Sequence, residues 1–70
     1  MTRDAVVYEQ TQNNFAAYVP DLPGCVATGR TRREVERRIR SAIRMHLEGL
    51  RDDGEVPPAP TSTTGSVEVA

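Results

Sequence analysis

Seventy residues carry nine basic and ten acidic side chains, for a net charge of −1. A chain this short buries only about 60% of its unfolded surface, so domains of its size usually rely on a disulfide, a metal or association with other chains. Cys25 and His46 are the sole cysteine and histidine, which excludes an intrachain disulfide and a four-ligand Cys/His zinc site within one chain, and leaves self-association as the remaining support.

In chain order, Asp4 to Glu9 is rich in β-branched and aromatic residues and reads as a strand. The polar cluster Thr11-Gln12-Asn13-Asn14 reads as a turn, and Phe15 to Val19 as the second strand of a hairpin. Pro20-Asp21-Leu22-Pro23-Gly24 follows. Two prolines fix φ and remove two backbone donors, while Gly24 permits a conformation that other residues avoid, so this loop is rigid. Cys25 to Gly29 reads as a third strand.

Thr31-Arg32-Arg33-Glu34 has the form of a capping box, in which the Thr31 hydroxyl accepts from the Glu34 amide and the Glu34 carboxylate reaches back to the Thr31 amide. Behind it, Val35, Ile39, Ala42, Ile43, His46, Leu47 and Leu50 fall within an arc of roughly 140° at helical spacing. Gly54 suits the position just past a helix end, and Pro57-Pro58 prevent continuation, so the spacing predicts a helix over 32–53. Residues 57–66 form a Pro/Thr/Ser linker, and Val67-Glu68-Val69 alternates like a short edge strand over 67–70.

The order is β-β-β-α-β: an α+β, two-layer sandwich of a three-stranded antiparallel sheet, one helix and a short C-terminal strand. Residues 1–56 form the domain proper. The helix has one apolar stripe and covers one sheet face, yet both faces are fairly apolar. The uncovered face is therefore expected to meet another chain, as a homodimer or higher homo-oligomer or with a different partner. Tyr8 and Tyr18, if they lie on that face, suit an interface, because aromatic rings supply contact area at low entropic cost. The loop Pro20, Asp21, Leu22, Pro23 and Gly24 is either a partner-contacting surface or a rigid crossover.

Charge is unevenly placed. All the basic residues are arginine, and eight of them lie between Arg30 and Arg51, against Glu34, Glu36 and Glu48. On the helix, Arg33, Arg37, Arg40, Arg44 and Arg51 cluster within about 60° of one another. Such a stripe is either a solvated face or a surface for phosphate or an acidic partner. Chemistry finds little support. His46 sits in the apolar arc with neither a nucleophile nor an orienting carboxylate beside it. Cys25 opens a strand, where a small buried thiol fits without reacting. Asp4 and Glu9 point to opposite sheet faces, Asp21 is in the loop and Asp52-Asp53 end the helix, so no acidic cluster gathers to hold a metal pair. No cofactor site is read. No segment approaches the roughly 20 apolar residues of a membrane span, and no apolar signal region of about 7–15 residues is present, so a cytoplasmic protein is expected.

The run Tyr18-Val19-Pro20-Asp21-Leu22-Pro23-Gly24-Cys25-Val26-Ala27-Thr28-Gly29-Arg30-Thr31 resembles the signature of HicB-type antitoxins of bacterial and archaeal toxin–antitoxin systems. The helix segment Ala42 to Leu50, the Asp53-Gly54-Glu55-Val56-Pro57 exit and the short final strand are similar as well. The resemblance covers nearly the whole chain and implies a partial RNase H-like fold that is not an enzyme. It implies a partner too: a HicA-type toxin that cleaves mRNA and is neutralised by being covered. Many such antitoxins carry a C-terminal DNA-binding domain. None is recognised in residues 1–70, so operator binding is not expected of them. The competing reading is a small nucleic-acid-binding regulator using the arginine stripe, and a third is a family member without a toxin partner.

Overall fold

The structure is a computed structural model that describes residues 3–70. Three short strands, β1 (Val7–Gln10), β2 (Phe15–Tyr18) and β3 (Val26–Gly29), form an antiparallel sheet in the order β1-β2-β3, and one helix, α1 (Arg32–Asp52), packs across β3 and β2. This is the two-layer α+β arrangement expected. The first strand begins at Val7 rather than Asp4 and the third at Val26 rather than Cys25. The strand expected at 67–70 does not join the sheet of the single chain: 55–70 carries no regular secondary structure, and Val67 and Val69 are 86% and 83% exposed.

Local chemistry sets each boundary. In the β1–β2 turn, the Thr11 amide donates to the Asn14 carbonyl at 2.8 Å, and the Asn14 amide returns a bond to Thr11 Oγ1 at 3.0 Å. Thr31 caps α1, its hydroxyl accepting from the Glu34 amide at 3.1 Å. The second half of the expected capping box is replaced. The Glu34 carboxylate turns to Arg38, 2.9 Å away, because an i,i+4 arginine offers a charged donor on the same helix face. At the other end Gly54 takes φ +77° and donates to the Arg51 carbonyl at 2.9 Å, while the Glu55 amide donates to Leu50 at 2.8 Å. Those two bonds form a Schellman closure, which only a residue at ease with positive φ allows cheaply.

The core is small. Among the described residues, Ala17, Val19, Leu22, Cys25, Val35 and Ile39 are its buried members, with Val6, Tyr8, Phe15, Ala27, Ala42, Ile43 and Leu47 packed partly against them. α1 buries only Val35 and Ile39 fully, both in its first half. The radius of gyration is 13.5 Å, against about 11 Å for a compact domain of this length. The chain is extended over 46 × 27 × 19 Å because the 21-residue helix outruns the four-residue strands.

Candidate partner-binding face

Strand register decides which side chains share a face. Val7, Tyr18 and Val26 stand opposite one another across the three strands, and so do Tyr8, Ala17 and Ala27. Successive side chains alternate between faces. Ala17 is buried beneath α1, so the row Tyr8–Ala17–Ala27 is the covered one and Val7–Tyr18–Val26 is the open one. The open row is apolar with one phenol in its centre, and Tyr18 and Val26 are 40% and 63% exposed. The neighbouring row on that face is Glu9–Ala16–Thr28.

The two tyrosines therefore part company. Tyr18 is at the centre of the uncovered row. Tyr8 lies on the helix side, where the Arg32 guanidinium stacks 3.5 Å from its ring centroid. It packs against the core rather than presenting itself to a partner. The condition that Tyr8 lies on the open face is not met, since the β1–β2 register puts it beside Ala17 and not beside Tyr18.

The Pro20–Gly24 loop also divides. It is a tight crossover held by three backbone bonds: Leu22 N–H to the Val19 carbonyl at 3.1 Å, Cys25 N–H to Leu22 at 3.0 Å, and Val19 N–H to Cys25 at 3.1 Å. Gly24 supplies the φ of +85° that closes it. Leu22, expected among the partner-contacting residues, points inward and is 1% exposed, so it plugs the core instead. Pro20, Pro23 and Gly24 remain exposed.

Asp21 has a role that its sequence context did not reveal. Its Oδ2 accepts from the backbone amides of Thr61 and Ser62 at 3.0 Å each, and its Oδ1 accepts from both hydroxyls at 2.9 Å. The Ser62 amide and hydroxyl, followed by the Thr61 bonds, hold the carboxyl down to a pKa of about 2, outweighing partial desolvation. Asp21 thus clasps the C-terminal tail to the loop.

The arginines fall into two groups. Arg32 stacks on Tyr8, and Arg38 donates to the Thr28 carbonyl at 2.8 Å while pairing with Glu34, so these two bind the helix to the sheet. The stripe residues Arg33, Arg37, Arg40, Arg44 and Arg51 are exposed. Among the described residues, Arg40 is the stripe member in an ion pair, a loose one to Glu36 at 3.7 Å, and Arg33, Glu36, Arg37 and Arg40 line a shallow groove.

Cys25 is buried, and desolvation, with Asp4 adding a like charge, pushes its thiol above the usual range, away from the reactive thiolate. Among the described residues, no group of three or more His, Cys, Asp or Glu side chains gathers to hold a metal ion, and no helix is long and apolar enough to cross a membrane.

Fold and face together define a small α+β module whose accessible features suit binding. The chain belongs to the HicB-like antitoxin family of bacterial toxin–antitoxin systems, whose family model matches residues 4–68. It is similar to an uncharacterised 14.9 kDa protein from the rep-hol intergenic region of Haemophilus phage HP1, 38% identical over 53 residues that make up 74% of this chain and 40% of the phage protein. A UPF0150 protein of Helicobacter pylori is 40% identical over 47 residues, 67% of this chain and 65% of that one. A UPF0150 protein of Thermoplasma acidophilum is 31% identical over 58 residues, 83% of this chain and 84% of that one. The matched stretch thus spans less than two thirds of the phage and Helicobacter proteins.

Proposed function

We propose that this module is a non-enzymatic antitoxin that neutralises a HicA-type, mRNA-cleaving toxin in the cytoplasm by covering its RNA-binding or catalytic surface, one module per toxin. The observation that carries the reading is the open row Val7–Tyr18–Val26, an apolar strip with a central aromatic on the sheet face opposite α1, which none of the described elements covers. An aromatic at the middle of an apolar patch is the usual anchor of a protein interface. The exposed Pro20, Pro23 and Gly24 extend the strip at the end of β2 and, being rigid, lose little entropy when a partner seats on them. Membership of an antitoxin family supplies the class of partner. Self-association through the same face or through a sheet edge belongs to this reading, since so small a core leaves stability to be gained from contact.

The test is inhibition of RNA cleavage by a HicA-type toxin. Inhibition is expected to be stoichiometric and complete at a one-to-one ratio, and to be lost in Tyr18→Arg. Cleavage that continues unchanged in excess module contradicts the reading.

A second reading, nucleic-acid binding by Arg33, Arg37, Arg40, Arg44 and Arg51, is favoured by one observation, the exposure of the stripe with little internal pairing. Affinity for RNA or DNA that falls steeply with salt and is lost in the double variant Arg37→Glu, Arg44→Glu supports that reading in place of the first.

A further inference from the structure

We infer that Ser62 is a phosphorylation site, and that a phosphoryl group placed there releases the C-terminal tail from Asp21. The clasp offers two hydroxyls as chemical handles. Thr61 Oγ1 and Ser62 Oγ each donate to Asp21 Oδ1 at 2.9 Å, while the two backbone amides donate to Oδ2 at 3.0 Å. Titration does not open this arrangement near neutrality, since the carboxyl is held at about 2. A charge added to the tail does. Phosphoserine carries roughly −1.5 to −2 charges at pH 7, and its esterified Oγ has no proton to give Oδ1. That charge falls within hydrogen-bond distance of the Asp21 carboxylate, where like charges repel.

The surroundings sharpen the effect. No charged residue lies between Glu55 and Glu68, so a phosphate on Ser62 turns a neutral stretch into a strongly anionic one. Ser62, Thr63 and Thr64 border a cleft of about 490 Å³ against Arg3, Asp4 and Val6. Asp4 adds a second like charge there, and Arg3 offers a counter-charge away from Asp21, so neither holds the tail on the clasp. Release of the tail removes one wall of the cleft.

The segment is also one that a phosphoryl-transferring enzyme can seat. Residues 55–70 carry no regular secondary structure, Pro57, Pro58 and Pro60 keep the stretch from continuing the helix, and Thr61, Ser62, Thr63, Thr64 and Ser66 all bear hydroxyls. Ser62 is half-buried, so the clasp opens locally before its hydroxyl is reached, and the phosphate then blocks closure. Of the two clasp hydroxyls, Ser62 belongs to the residue that does more to keep the Asp21 carboxyl ionised. In the transfer, Ser62 Oγ attacks the γ-phosphorus of a nucleoside triphosphate. The new O–P bond forms as the bond from that phosphorus to the β,γ-bridging oxygen breaks, nucleoside diphosphate leaves, and the hydroxyl proton passes to a base of the transferring enzyme.

Two measurements test this. Mass spectrometry of the chain purified from its own cells is expected to find a phosphoryl group on Ser62, and Ser62 unmodified through growth and stationary phase overturns the assignment. The switch itself is tested on the chain produced with phosphoserine at position 62, beside the unmodified chain, with far-UV circular dichroism to verify the helix in both. Hydrogen exchange of the Thr61 and Ser62 amides is expected to quicken at least about tenfold, since each amide loses a charged acceptor. In Asp21→Lys the sign inverts: the unmodified tail exchanges freely and the phosphorylated tail is protected, because an ammonium now faces the phosphate. Bulk alone does not produce that inversion. Amides that stay protected in the phosphorylated chain, or a phosphorylated Asp21→Lys chain whose tail stays free, overturn the switch. None of these readouts involves a toxin, so this inference and the antitoxin reading are judged separately.

Discussion

The Asp21 carboxylate grips Ser62 twice, accepting its amide at 3.0 Å on one oxygen and its hydroxyl at 2.9 Å on the other, across 41 positions of sequence. Thr61 repeats the arrangement on the same two oxygens. One loop residue therefore decides where the C-terminal tail leaves the domain.

A pH dependence follows. The folded carboxyl titrates at about 2, below its ordinary 3.8, because the bonds from Ser62 and Thr61 favour the charged form. A depressed carboxylate stabilises the clasp fully above the ordinary value and loses that contribution as pH falls toward the folded one. The amide resonances of Thr61 and Ser62 are expected to hold steady down to about pH 4 and then shift with a midpoint near 2. In Asp21→Asn they are expected to lack that titration and to move toward unstructured positions even at neutral pH. A midpoint at the ordinary carboxylate value contradicts the clasp.

Two glycines carry opposite expectations. A Cβ added at Gly29 meets Val35 Cγ2 at 3.0 Å and the Glu34 side chain at 3.2 Å, and Val35 is fully buried with nowhere to retreat. Gly29→Ala is expected to destabilise by about 1–3 kcal/mol through overpacking at the sheet–helix contact. A Cβ at Gly49, within α1, meets nothing within 4 Å. Gly49→Ala is expected to stabilise by about 0.5–1 kcal/mol by restricting the unfolded chain and favouring helix. Urea unfolding midpoints measure both, and shifts of the same sign refute the packing described for Gly29.

The helix was the most legible element because its signals are local. Thr31, Gly54 and the apolar spacing between them fix both ends, and the observed Arg32–Asp52 differs by one residue from the predicted 32–53. The strands were legible in number and order but less so in extent, since Asp4 to Val6 have strand-like composition and no pairing partner in the ladder. Alternation separated Tyr8 from Val7, yet which row the helix covers depends on packing between distant segments and has no periodic signature. Leu22 was misplaced for a related reason. A leucine framed by prolines reads as surface loop, and only the closed turn reveals that it points into the core. The Asp21–Ser62 clasp joins residues too far apart for any spacing to betray it.

The claim on which the functional reading depends is that the open row Val7–Tyr18–Val26 is where a protein partner seats. Calorimetric titration of a HicA-type toxin into the full chain, into Tyr18→Arg and into the double variant Arg37→Glu, Arg44→Glu tests it directly. The full chain and the arginine double variant are expected to bind at one-to-one stoichiometry with comparable affinity. Tyr18→Arg is expected to lose at least about 2 kcal/mol, as central aromatic anchors do. Affinity that survives Tyr18→Arg and collapses in the arginine variant places the partner on the helix instead, and the open sheet face is then not the binding surface.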